Sequence, residues 1–365
     1  MKKALVVLLL LALVGGGLFA QVTWSGTVNG GLGALKQGDN DLGFGLMAKD
    51  AWVNGVYTQL ALTADNDAKT VGFRARIRSQ GGTMNHWNNT LPTLSQGQNE
   101  LMNFYVRRAF GYVKGMDGLL EFQGGRIDVS NVAGNDGVWG SNWFNALGLL
   151  AYIYPTSAFT VALGGYSGNA LSDAVTWDGT GLTAYAGLRA NLGVADVRAQ
   201  FRFNKADVRA AATGRFAVGP ANIGVGAYIQ NLQAFADAGR MDFMASAGLN
   251  VLEGLDLTLK GIFGMRNDRD GNFLGVGATG AFAVGNVKPG ASVAFISGGT
   301  YDYTCGLAFD QNWWNANWAT DLSYLTINPF VFLGKNVELG AVINMDLSGT
   351  ASKGFAGYVD FVASF

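Results

Sequence analysis

Apolar and polar residues alternate along most of this chain with a period of two. The pattern is clearest in 71–78 and 196–204, where apolar side chains alternate with arginines. Similar runs occupy 182–192, 208–218, 222–230, 241–250, 255–266 and 337–347. Successive side chains of a β-strand point to opposite faces of the sheet. The pattern therefore predicts many strands, each with one apolar face and one polar face.

The connections between these strands alternate between short and long. Short turns are predicted at 115–118, 155–157, 193–194, 219–220, 253–254, 285–286 and 334–336, and most of the longer segments lie between them. This rhythm has one exception, near Ala206-Asp207, and gives 18 strands when it is kept throughout. The segments 35–50 and 298–317 could each hide or lose a strand, so the predicted range is 16 to 18.

The C-terminal segment 354–365 continues the alternation. It places Phe355, Phe361 and Phe365 on one face and ends on that aromatic residue. After the first 20 residues, the sequence has no apolar run of 18 residues. Only helices and closed barrels can span lipid. The sequence thus predicts an all-β fold: a transmembrane, antiparallel, up-and-down β-barrel with short periplasmic turns and longer outer loops.

The N-terminus has the features of a secretory signal peptide. Lys2 and Lys3 precede the apolar stretch 4–14, and Leu18-Phe19-Ala20 forms a plausible cleavage site. A membrane anchor is less favoured, since the apolar stretch is short for a span of about 20 residues. We predict a signal peptide at 1–20 and a single barrel domain at 21–365, located in the bacterial outer membrane.

Composition excludes several classes of protein. Charged residues make up 14% of the chain, against about 25% in soluble domains. The net charge of −1 gives no indication of a nucleic-acid partner. Cys305 is the sole cysteine and His86 the sole histidine, and no nucleophile is patterned around His86. The motif at 275–280 matches a dinucleotide pattern but continues into strand. We predict no enzyme activity, no cofactor and no metal site.

Residues 107–130 read RRAFGYVKGMDGLLEFQGGRIDVS and, with the C-terminal strand, resemble the general trimeric porins of Gram-negative bacteria. The strand count makes this hairpin the fourth and fifth strands and makes 129–145 the third outer loop, in agreement with the family. The resemblance implies that this loop folds into the lumen and that the protein is a homotrimer. The chain departs from the family in its 18 predicted strands, where the family usually has 16. Asp136 is the only acid inside the loop, where the family is richer in carboxylates.

The arginines indicate which face of the barrel is wet. An arginine on the lipid face costs about 2–4 kcal/mol near the midplane, so the arginine face is predicted to line a water-filled lumen. The predicted pore-lining residues are Arg74, Arg76, Arg78, Arg126, Arg189, Arg198, Arg202, Arg209, Arg215, Asp136, Glu338 and Asp346. Lys260 and Arg266 would extend this set of lumenal basic residues. Further acidic candidates are Glu121, Asp242, Asp256 and Asp360.

These charges allow two interpretations. A basic wall around Arg198, opposed by acids near the C-terminal seam, would create a transverse field that selects polar solutes. Alternatively, the charges pair with one another and only keep the interior hydrated. Arg126 needs a separate explanation, because it shares the face of Phe122. A bulge at Gly124-Gly125 would turn it inward; otherwise it lies at the membrane interface.

The leading functional prediction is passive diffusion of small hydrophilic solutes and ions, because a barrel of 16 to 18 strands leaves an aqueous channel. The alternatives are a surface adhesin or structural barrel, and a transporter of hydrophobic compounds. Expected partners are outer-membrane lipid, the diffusing solutes and the barrel-assembly machinery, which we expect to recognise Phe365.

Overall fold

The computed structural model describes residues 21–37, 43–48, 53–54, 57–80, 103–127, 129, 131–132, 147–167, 182–204, 207–267, 271–300, 317–347 and 354–364. The predicted signal peptide, Asp136 and Phe365 lie outside these residues. The backbone is described at Arg78 and Asp346, but their side chains are not.

Nearly all described residues belong to β-strands. The strands are β1 (Gln21–Gln37), β2 (Gly43–Ala48), β3 (Val53–Asn54), β4 (Tyr57–Asp65), β5 (Val71–Gln80), β6 (Asn103–Gly115), β7 (Leu120–Arg126), β8 (Leu147–Thr156), β9 (Phe159–Ser167), β10 (Leu182–Asn191), β11 (Ala195–Asn204), β12 (Asp207–Val218), β13 (Ala221–Gln230), β14 (Arg240–Leu252), β15 (Leu255–Arg266), β16 (Asn272–Phe282), β17 (Val287–Thr300), β18 (Asn317–Leu333), β19 (Val337–Asp346) and β20 (Gly354–Ser364). A short 3-10 turn at Met116–Gly118 joins β6 to β7, and a short helical connection, Leu232–Ala238, joins β13 to β14.

The strand pairings return to the strand where they begin. β1 pairs with β4 along its first half and with β2 along its second half, so β2 and β4 together occupy one position in the barrel. β3 pairs with β2, and from β4 to β20 each strand pairs antiparallel with its neighbours in sequence. β20 then pairs with β1, Val28 opposite Ala363 and Leu32 opposite Val359. Within the described residues this gives 18 barrel strands, which confirms the predicted up-and-down fold and the upper end of the predicted range.

Short turns lie at one end of the barrel and most of the longer connections at the other. Leu192–Val194 joins β10 to β11, and Gly193 there has a φ of 81°, a left-handed conformation that glycine adopts without steric cost. At the opposite end, the connection from β11 to β12 consists of residues 205–206 alone. This is the exception that the sequence predicted near Ala206-Asp207. The two ends are called the turn end and the loop end below.

The two faces of the sheet differ in exposure as the alternation predicted. Leu149 is 73% exposed and Phe122 is 57% exposed, whereas Tyr152 and Gln200, on the other face, are 0% and 4% exposed. Exposed leucine, valine and phenylalanine continue around the outer face on most strands. A continuous apolar surface of this extent fits contact with lipid. Among the described residues, no helix has the length and apolarity needed to cross a membrane.

Strand β18 contains a proline, and the side chain of the preceding residue, Asn328, supplies a hydrogen bond that the proline cannot make. The register of β18 and β19 pairs Ile327 with Ile343 and Phe330 with Gly340 but skips Asn328 and Pro329 between them, and proline has no N–H to donate to the ladder. The Nδ2 of the buried Asn328 instead donates to the carbonyl oxygen of Ala341, at 2.5 Å. The side-chain amide thus takes the place of the missing backbone donor.

Candidate functional site

The segment that follows β7 lies against the inner face of the barrel. Ile127, Val129 and Val132 are 1%, 0% and 0% exposed. They pack in one apolar cluster with the inner-face residues Leu150, Tyr152, Ala162, Tyr166, Tyr185, Ala211 and Tyr228. A Cβ built on Gly187 of β10 would lie 2.5 Å from the Cγ2 of Val132. Since β8 and β9 separate β7 from β10, the segment 127–132 runs inward along the wall. The inward course that the porin resemblance implied is confirmed for these residues.

Four arginines form a row on the inner face at the loop end. Arg202 of β11 lies opposite Arg209 of β12, and Arg240 of β14 lies opposite Arg266 of β15. Gln230 of β13 pairs with both Arg209 and Arg240, which makes the row continuous across five strands. We call these four residues the arginine band. The sequence prediction included Arg202 and Arg209, mentioned Arg266 as a possible extension and missed Arg240.

The arginine band is surrounded by tyrosines and one buried carboxylate. The Nε of Arg240 donates to the Oδ2 of Asp242 at 2.8 Å, and Asp242 is fully buried. The Cζ of Arg240 lies 5.7 Å from the ring centre of Tyr228, and Arg202 interacts with Tyr166. Arg240 is thus bonded to this carboxylate, and the band as a whole places four cationic side chains at the loop end of this wall.

Two of the other predicted arginines are held by one aspartate at the turn end. Arg189 donates from Nε and Nη2 to the two carboxylate oxygens of Asp196, both at 3.1 Å. Arg198 binds the same two oxygens from Nε and Nη2, at 3.1 and 2.8 Å. Arg215 lies opposite Asp196 in the register of β11 and β12. For Arg189 and Arg198 the structure therefore supports mutual pairing of charges.

Arg74 belongs to a second paired network at the turn end. Its guanidinium donates to both oxygens of Asp65, at 2.5 and 3.0 Å. The hydroxyl of Tyr112 donates to Asp65 Oδ1 at 2.7 Å, and Arg74 and Lys114 lie over the Tyr112 ring. Lys114 also forms a loose ion pair, 3.9 Å, with Glu121. These contacts tie β4, β5, β6 and β7 together.

Further along β5, Arg76 lies opposite Arg108 of β6, on the same face as Arg74. The register shifts between Arg76 and Ile77, where Arg107 is the additional residue on β6. Arg78 follows opposite Tyr105. Arg108 is an inner-face residue that the sequence prediction did not include.

Acidic residues occupy the inner-face register of β19 and β20. Glu338 lies opposite Asp360, and Asp346 lies opposite Tyr324 of β18. Asp256 of β15 forms an ion pair with Lys288 of β17. Around the 18-strand ring, β19 lies eight strands from β11 and four strands from β15, so these acids lie across the lumen from the β11 end of the arginine band and nearer to its β15 end.

The structure does not contain the bulge that was predicted to turn Arg126 inward. The β6–β7 ladder runs without a register shift from Leu120 to Arg126. Arg126 lies opposite Ala109 on one side and opposite Leu147, an exposed outer-face residue, on the other. The predicted bulge is therefore wrong, and the register gives Arg126 an outward position.

Parity would have found the residues that the prediction missed. Arg240 lies one residue before the alternating run at 241–250 and shares the face of Asp242, and Arg108 shares the face of Tyr112. Among the described residues, no group of three or more His, Cys, Asp or Glu side chains is placed to hold a metal ion.

Comparison with solved structures identifies the fold. OccK1 (OpdK) of Pseudomonas aeruginosa matches with a TM-score of 0.57 at 12% identity, over 95% of this chain and 100% of that one. The chain has the fold of the outer-membrane porins. An anion-selective porin of Comamonas acidovorans matches with a TM-score of 0.56 at 11% identity, covering 94% and 99% of the two chains. OmpT of Vibrio cholerae, in its trimer form, matches with a TM-score of 0.53 at 13% identity, covering 94% and 99%.

The sequence comparisons give no closer relationship. No family model matches the chain, and no curated protein sequence matches it significantly. The porin fold is thus established by the structure, at identities too low to carry over any residue's role.

Proposed function

We propose that this protein is an outer-membrane porin through which small hydrophilic solutes diffuse passively, with a preference for anions. The observation that carries the proposal is the arginine band on the inner wall of an 18-stranded porin-fold barrel. A barrel of this size encloses more space than its own side chains fill. Fixed positive charge on the wall raises the local concentration of anions and lowers that of cations.

The packing of Ile127, Val129 and Val132 supports a narrowed lumen. These side chains lie on the inner face against β8 to β10, and both valines are fully buried there. Chain that occupies the inside of the barrel reduces the cross-section left for solutes. Size exclusion at this level, together with wall charge, is the selection mechanism we propose.

The acids of β19 and β20 extend the proposal to a transverse field. Glu338, Asp346 and Asp360 occupy inner-face register positions on β19 and β20, eight and nine strands around the ring from Arg202 on β11. Opposed charges across a narrow lumen orient dipolar solutes and disfavour apolar ones. The arginine band outnumbers the acids of this seam, so the expected net preference remains anionic.

Two of the structural neighbours fit this proposal. One is an anion-selective porin, and OpdK of Pseudomonas aeruginosa was solved with vanillate. We further propose a homotrimer, in line with the trimer form of the Vibrio cholerae neighbour. Export by the signal peptide at 1–20 and recognition of Phe365 by the barrel-assembly machinery complete the proposal.

Conductance of the purified protein in a planar lipid bilayer tests the proposal. We expect discrete steps of uniform size, and swelling of liposomes in small sugars but not in large ones. A structural barrel with a filled interior would give a folded, β-rich protein without steps, and that result would overturn the channel assignment.

A further inference from the structure

We infer that Gly187 and Val132 form a seat that fixes the 127–132 segment to the wall and thereby sets the size limit of the lumen. This inference rests on the proposed channel function. It assigns the limit to one contact between a loop side chain and a strand glycine, and it makes Gly187 a positioning residue for selectivity.

The geometry at Gly187 leaves no room for a side chain. A Cβ at this position would lie 2.5 Å from the Cγ2 and 3.0 Å from the Cβ of Val132. Real Cβ atoms essentially never come as close as the first of these distances, so any larger residue must displace the valine. A glycine inside a strand often marks such a close approach of another segment.

The neighbours of Gly187 complete the seat. In the register, Ala162 of β9 lies on one side of Gly187 and Gln200 of β11 on the other. The hydroxyl of Tyr185 donates to Gln200 Oε1 at 3.0 Å and lies 3.1 Å from the position of the added Cβ. Gly187 and Ala162 have little or no side chain, and Val132 occupies the space that a side chain at Gly187 would need.

The burial of these side chains indicates that the contact stabilises the position of the segment on the wall. Val129 and Val132 are completely buried, and Ile127 nearly so, against a patch of apolar and tyrosine side chains on the inner face. Withdrawing these side chains into water would expose apolar surface at roughly 25 cal/mol per Å². The segment therefore remains on the wall as long as its seat is open.

A cysteine cross-link tests the seat directly. In a Cys305→Ser background, the pair Val132→Cys and Gly187→Cys should form a disulfide in the folded barrel, because the two Cβ atoms would start 3.0 Å apart and a small shift of Val132 away from the wall brings them to the separation of about 4 Å that disulfides need. The matched control pairs Val132→Cys with Gly248→Cys. Gly248 is an inner-face glycine of β14 whose added Cβ would lie 3.9 Å from the carbonyl oxygen of Asn222. We expect a cross-link in the first pair and none in the second. Absence of a cross-link in the first pair would overturn the seat.

Conductance tests whether the seat sets the size limit. Gly187→Leu should push the segment away from the wall and lower single-channel conductance by roughly twofold, because overpacking is relieved by backbone movement. Gly248→Leu should leave it unchanged. The double variant Gly187→Ala with Val132→Ala should have a single-channel conductance closer to that of the parent protein than Gly187→Ala alone.

An unchanged conductance and sugar cut-off in a folded Gly187→Leu barrel would refute the assigned role even if the cross-link forms. The cross-link does not depend on conduction. If the parent protein conducts nothing while the disulfide still forms, the channel proposal fails and the packing contact stands.

Discussion

Two kinds of arginine occur on strands β10, β11 and β12, and they differ in their partners. At the turn end, Arg189 and Arg198 share the carboxylate of Asp196. At the loop end, Arg202 and Arg209 lie opposite each other in the ladder. Like charges placed directly opposite across a sheet are destabilising. The comparison teaches that the sign of a lumenal residue does not by itself predict its role, because Arg189 and Arg198 converge on one carboxylate whereas Arg202 and Arg209 place two like charges together.

Neutralising the arginine band should have the largest effect on selectivity. We expect Arg202→Gln with Arg209→Gln to reduce the preference for anions over cations by about three- to tenfold, since wall charge determines which ions accumulate in the lumen. Reversal potentials in a salt gradient measure this ratio. A double variant that folds and keeps the parent's reversal potential would contradict the role of the band.

Removing the shared carboxylate should produce a smaller shift in the opposite direction. Asp196→Asn leaves two arginines without their common anion, so the anion preference should rise. We expect about twofold or less, because these side chains are 12–28% exposed and water screens part of their charge. The same salt-gradient recording applies. A shift toward cations would show that Arg189 and Arg198 do not face the conducting path.

The Arg74 network should affect stability with little effect on selectivity. Arg74→Gln breaks two hydrogen bonds to Asp65, a largely buried acid that also accepts a bond from Tyr112. We expect a loss of about 1–3 kcal/mol in the free energy of unfolding, the usual cost of an unpaired buried group. Urea unfolding in lipid vesicles, followed by tryptophan fluorescence, provides the measurement. A large change in reversal potential with unchanged stability would reverse this assignment.

Arg126 should have the smallest effect. Its register position opposite Leu147 is on the outer face, so we expect Arg126→Gln to leave the conductance and the reversal potential unchanged. It also serves as the control for charge removal in the arginine band. An effect as large as that of Arg209→Gln would show that Arg126 lines the lumen and would contradict its outward position.

The barrel was predictable because each residue of a strand faces either lipid or water, so apolar and polar residues alternate along the sequence. The alternation gave the strands around β5 and β10–β15, and the rhythm of turns gave 18 strands. Pairing between charges was not predictable, because it depends on register. Asp65 and Arg74 are nine residues apart in sequence and meet only because a turn aligns β4 with β5.

Arg126 shows how a local signal can mislead. The glycine pair before it predicts a bulge, but in the structure the backbone conformation and a close contact require glycine at Gly125. Its φ is 127°, and a Cβ there would lie 2.4 Å from the carbonyl oxygen of Ala109. The register shift lies instead between β5 and β6, where Arg107 of β6 is the additional residue. Sequence alone does not separate a glycine required by a close contact from one that marks an inserted residue.

The reversal potential of the unmodified protein in a tenfold gradient of potassium chloride tests the central claim most directly. Potassium and chloride have similar mobilities in water, so the sign of the potential reports the charge of the conducting path. The arginine band predicts a potential displaced toward the chloride equilibrium value, and less so at high salt, because screening shortens the reach of the wall charge. A potential displaced toward the potassium value would contradict the account.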